Sequence, residues 1–105
     1  MKLTKKLIKE LEKSVPEVGI TDNGDYYSVY VDNPCGQDFS YEITKGKNEV
    51  EELITCCENY DEEDEFRAWY GANNGEPSNP GVLWDNCVAI GEALEKLKFF
   101  LQDSI

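Results

Sequence analysis

Apolar residues near the amino terminus recur at helical spacing. Leu3, Leu7, Ile8, Leu11 and Val15 fall on the i, i+4, i+8 steps of one face with lysines opposite, so residues 2–14 are expected to form a helix that Pro16 ends. The period then changes to two. Val18 and Ile20 alternate with polar neighbours before Asp22-Asn23-Gly24-Asp25, and Asn-Gly is a strong hairpin signal because both central residues of a type I′ turn need positive φ. Residues 25–32 place Tyr27, Val29 and Val31 on one face of a strand and Tyr26, Ser28, Tyr30 and Asp32 on the other. Beyond the turn Asn33-Pro34-Cys35-Gly36, residues 37–44 alternate Phe39, Tyr41 and Ile43 with Asp38, Ser40, Glu42 and Thr44. The pattern predicts a three-stranded antiparallel meander with one apolar face and one acidic, hydroxyl-rich face.

The second half returns to helical spacing. Asn48 and Glu51 have the separation of a capping box, and Val50, Leu53, Ile54 and Cys57 supply a buried stripe behind them. A break at Asn59-Tyr60 leads to Asp61, the expected cap of a third helix that carries Phe66, Trp69 and Tyr70. The first turn of that helix is nearly all carboxylate, which suits the positive end of the helix dipole. Residues 71–81 read as a loop, and Asn79 and Pro80 as cap and first residue of a helix over about 80–102. There Leu83, Cys87, Ile90, Leu94, Leu97 and Leu101 form a narrow seam, widened by Trp84, Val88, Phe99 and Phe100. The expected architecture is one α+β domain over residues 1–105, order αβββααα, with helices packed on one face of the sheet.

Charge narrows the range of partners. The chain has 22 acidic and 10 basic residues, no histidine and a net charge of -12. Five of the lysines lie in residues 1–13 and two in residues 96–105, so the middle of the chain sets 19 acids against Lys45, Lys47 and Arg67. Such a field repels nucleic acid and anionic membrane and attracts basic protein surfaces, including those that hold phosphates. The lysine stripe of the first helix is read as a solvated face. The amino terminus has no unbroken apolar stretch of signal-peptide type, and no run approaches the roughly 20 residues of a membrane span, so a cytoplasmic location is expected.

The residue types disfavour catalysis. Without histidine, a serine or cysteine lacks its usual activating base, and a carboxylate pair would need a substrate cleft that a small sheet does not readily build. Cys35, Cys56, Cys57 and Cys87 include no C-x-x-C pair, so zinc is not expected and the thiols are read as reduced. Neither the 58–65 run nor the Asp22-Asn23-Gly24-Asp25 turn has the ligand spacing of an EF-hand. No enzyme activity, cofactor or metal site is expected.

Two tracts carry a resemblance. Asn59-Tyr60-Asp61-Glu62-Glu63-Asp64-Glu65-Phe66, followed by Trp69-Tyr70, a Gly/Pro loop and a long Leu-spaced helix, resembles the second half of small acidic proteins of Gram-positive phages, prophages and mobile elements. The tract Asn33-Pro34-Cys35-Gly36-Gln37-Asp38-Phe39-Ser40 is similar to the turn before the third strand in those proteins. Many of them have a histidine where this chain has Glu65. The resemblance implies a mobile-element product acting inside a bacterial host.

Charge and context together predict a module that binds a basic, nucleic-acid-binding host protein. The expected docking residues are Glu58, Asp61, Glu62, Glu63, Asp64 and Glu65, joined by Tyr26, Tyr30, Asp32, Asp38 and Glu42 of the polar sheet face. Carboxylates in fixed array imitate a phosphate backbone, and the sharper expectation is an inhibitor of a restriction or CRISPR nuclease. The alternative is an assembly protein that forms a homodimer through the last helix, using Trp84, Phe99 and Phe100.

Overall fold

The computed structural model describes residues 1–32, 39–72 and 80–105, with the backbone alone at 72 and 80. Along the chain the elements are α1 (Lys5–Ser14), β1 (Val18–Asp22), β2 (Tyr26–Val31), β3 (Phe39–Thr44), α2 (Glu49–Glu58), α3 (Glu62–Ala72) and α4 (Pro80–Asp103). The strands form one antiparallel sheet of order β1-β2-β3, the expected α+β meander. Asp38, Cys35 and the turn around them lie outside the described residues, as does the expected cap Asn79.

Strand alternation decides which face the helices cover. Val29 pairs with Ile20 on β1 and Tyr41 on β3, and Tyr27, Val29, Val31 and Ile43 are buried beneath the helices. Against them pack Leu7 and Leu11 of α1, Val50, Leu53 and Ile54 of α2, and Ile90, Leu94, Leu97 and Leu101 of α4, in one cluster. Fully burying each such side chain contributes roughly 1.5–3 kcal/mol, so this seam dominates the stability. Leu83 and Cys87 are also buried but lie beyond that cluster. The first half of α4 therefore meets Phe66 of α3 and Tyr60 before it, and its second half packs with α2 over the sheet.

Three local expectations change. First, α1 starts at Lys5 behind Thr4, whose hydroxyl accepts from the Leu7 amide at 3.1 Å. Residues 1–3 run against α2 instead of extending α1. The Met1 carbonyl accepts from the Val50 amide, the Leu3 amide donates to buried Glu49 at 2.7 Å, and the Leu3 carbonyl accepts from the Tyr27 hydroxyl. Second, Asn48 makes no side-chain capping bond, and the carboxylate of Glu51, its expected reciprocal partner, pairs instead with the Met1 amine at 2.7 Å. Third, the Asn23 amide donates to the Tyr26 carbonyl, which makes Gly24-Asp25 the central pair of the hairpin in place of Asn23-Gly24. Gly24, at φ +93°, then stands where a type II′ turn needs its glycine.

Candidate functional site

The acidic run is held rigidly at its start. Asp61 caps α3 as expected, its carboxylate accepting from the amides of Glu63 at 2.9 Å and Asp64 at 3.1 Å. Glu58, Asp61, Glu62, Glu63 and Asp64 are all exposed, whereas half-buried Glu65 accepts from the Trp69 indole at 2.7 Å. Arg67, the sole cation of this helix, reaches Asp64 at 3.3 Å and Glu63 at 3.5 Å. Both pairs are largely solvated, a setting in which an ion pair contributes between nothing and about 1 kcal/mol. The side chains of Glu58 and Glu62 make no hydrogen bond or ion pair among the described residues.

An aromatic set fixes α3 to the rest of the fold. The Tyr60 hydroxyl donates to the Cys87 carbonyl of α4 at 2.6 Å, and its ring stands edge-on to Phe39 of β3 at 5.1 Å. Phe39 in turn meets Tyr41 at 5.0 Å, and the Tyr41 hydroxyl donates to the Cys56 carbonyl at 2.8 Å. Burial pushes both hydroxyls above the ordinary tyrosine range, with Glu65 adding to the effect. Burial also pushes the Cys57 thiol up to about 12 and raises that of Cys56, so neither is an activated nucleophile at neutral pH.

The expected docking residues fall into two groups. Glu58 and Asp61–Glu65 are brought together at the α2–α3 junction. Tyr26, Tyr30 and Glu42 lie on the uncovered sheet face with Ser28, Ser40 and Thr44, and Asp32 follows the end of β2. That face contains a single described carboxylate within its strands, Glu42, and the thickness of the sheet separates it from α3. Tyr30 also has a structural duty: a Cβ on Gly19 would lie 2.3 Å from its ring, so the tyrosine covers a bare glycine across the strand pair. Asp32 instead joins Glu12 and Glu17 around a separate groove of about 310 Å³.

Packing adds residues that sequence spacing did not single out. Glu92 and Glu95 of α4 face Glu58 and Glu62 across a groove of about 280 Å³, with Lys98 at its side. Their position on the α4 helix was legible, but their meeting with α2 and α3 depends on how three helices pack. A second cleft, about 590 Å³, is lined by Glu63, Phe66, Arg67, Gly81 and Trp84. Among the described residues no three Cys, Asp or Glu side chains converge so as to hold a metal ion, and no helix is long and apolar enough to cross a membrane. Compared with known proteins, the chain matches no family, no curated protein and no solved structure.

Proposed function

We propose that this chain is a protein-binding module without catalytic activity, which captures a basic, nucleic-acid-binding protein through the carboxylates of α3. The observation that carries this reading is Asp61–Glu65: five successive carboxylates, four of them exposed, on a helix start fixed by its cap and by Tyr60. Successive helical residues advance about 1.5 Å, and duplex DNA carries one charge per about 1.7 Å of axis, so the run matches the linear charge density of a duplex over its short length. A phosphate-binding groove lined with Lys and Arg gains counterion release from either ligand. The resemblance to phage and mobile-element proteins suggests the setting, the cytoplasm of a bacterial host, and the sharper version of the reading, inhibition of a restriction or CRISPR nuclease.

The test is capture from host lysate at low and high salt, with duplex DNA as competitor. The reading expects a nucleic-acid-binding protein that is released both by salt and by DNA. Capture that DNA leaves undisturbed would oppose mimicry. A second reading, a homodimer through α4, is favoured by Phe99 and Trp84, which are 53% and 38% exposed on that helix while Phe100 packs against the core. It predicts a dimer in sedimentation that persists at high salt.

A further inference from the structure

α3 is built unlike the other helices. Each of α1, α2 and α4 buries two or more side chains, whereas none of the described residues of α3 is buried. Its apolar side chains instead form an outward cluster with the start of α4. Phe66 stacks on Tyr70 at 5.8 Å and meets Trp84 edge-on at 5.9 Å, yet Tyr70 and Trp84 remain 39% and 38% exposed. Beside Phe66 and Trp84 opens the 590 Å³ cleft, with Glu63 in its wall and Arg67 held by Glu63 and Asp64. Glu63, Phe66 and Tyr70 follow one another along one face of α3 at about one-turn intervals, an acid and then two aromatics.

We propose that this cleft is the seat of an amphipathic, basic helix of the partner. Such a helix would lay one large apolar side chain against Phe66 and Trp84 and place a Lys or Arg one turn away against Glu63 and Asp64. The inference rests on the reading that the protein binds a cationic partner, and it names where and by what chemistry. Charge complementarity selects this occupant: Glu63 lines the cleft and Asp64 stands beside it, both paired to solvated Arg67, while the remaining carboxylates of the run line the neighbouring grooves. The weak, solvated Arg67 pairs yield readily to an incoming cation. A second copy of this chain fits poorly. Its one basic helix, α1, has Leu7 and Leu11 buried in its own core and so has no free apolar anchor to offer.

The probe is a synthetic amphipathic helix of leucine and lysine, compared with a serine and lysine peptide of equal charge. Both are titrated against the full chain, with amide chemical shifts followed. The proposal expects the leucine peptide to bind about tenfold or more tightly than its serine counterpart, with shifts concentrated at residues 63–70 and 81–84. Trp84→Ala should remove about tenfold of that affinity. A matching thermal melt of this variant, or the shift map of the unaltered chain, separates lost docking from lost fold. If the two peptides bind equally and Trp84→Ala changes nothing, the seat is refuted and the acidic-face reading survives. If neither peptide binds, both fall. Salt-insensitive self-association abolished by Trp84→Ala would assign the cleft to a second copy and overturn the proposal.

Discussion

The ring of Tyr60 lies against Gly91 so closely that a Cβ there would stand 3.1 Å from it. This contact, with the hydroxyl bond to the Cys87 carbonyl, sets the position of the α3 start on α4. Alanine ordinarily favours a helix interior over glycine by about 1 kcal/mol. Here Tyr60 is held by its hydrogen bond and by Phe39, and yielding to a new methyl would strain both contacts, so Gly91→Ala is expected to destabilise. In a Tyr60→Ala background the same change should stabilise by about 1 kcal/mol. Urea midpoints of the four chains check this cycle, and additive effects would show that the contact has no energetic content.

Glu49 is buried and uses one carboxylate oxygen for the Leu3 amide at 2.7 Å and the other for the Gly46 amide at 2.8 Å. Glutamine has one acceptor oxygen, so Glu49→Gln leaves one of these amides facing an NH2 group. The expected cost is about 1–3 kcal/mol, and Glu49→Ala should cost more because both donors are orphaned. Faster hydrogen exchange at Leu3 and Gly46 is the accompanying sign; unchanged protection at both would refute the clamp.

The long-range part of the fold explains where the sequence was hard to read. Periodicity made the α4 seam legible from Leu83 to Leu101, and the alternation in β2 and β3 correctly assigned Val29 and Ile43 inward and Tyr26 and Tyr30 outward. Both patterns are local, because the chain repeats them within one element. Glu49 and Glu51 instead serve residues 46 and 50 positions away, and spacing carries no trace of such a partner. The acidic helix was legible down to its Asp61 cap, but the expected union with the sheet face was not realised, because helices cover the opposite side. The spacing of Phe66, Trp69 and Tyr70 was legible, but the joining of Phe66 and Tyr70 with Trp84 in an outer cluster depends on how α3 meets α4.

Alkaline pH should unfold the protein through Tyr41 and Tyr60. Their folded pKa values lie above the unfolded value of about 10. More protons are then bound in the folded state, so their contribution is complete below about pH 10 and is lost as pH rises through the folded values. Cys57, pushed up to about 12, acts in the same direction from about pH 8.5 upward. Melting temperature should therefore fall above neutral pH, with the steepest loss past about pH 10, and Tyr60→Phe should flatten part of that steep limb. A flat profile to high pH would contradict the assigned burial.

The same burial predicts unequal thiols. Cys57 should resist alkylation at pH near 8 in the folded protein and react promptly once denatured, as mapped by tandem mass spectrometry. Prompt labelling of folded Cys57 would place it outside the core.

Electrostatic capture by α3, as opposed to net charge alone, is tested most directly by two equally charged variants. One carries Glu58→Gln, Glu62→Gln, Glu63→Gln and Asp64→Asn; the other carries Glu10→Gln, Glu12→Gln, Glu52→Gln and Asp103→Asn, all at exposed positions. Asp61 is left intact in both because it caps the helix. The measurement is the amount of nucleic-acid-binding protein each retains from host lysate at low salt. Capture by α3 requires that the α3 variant lose its partner while the second retains it; equal retention by both would refute it.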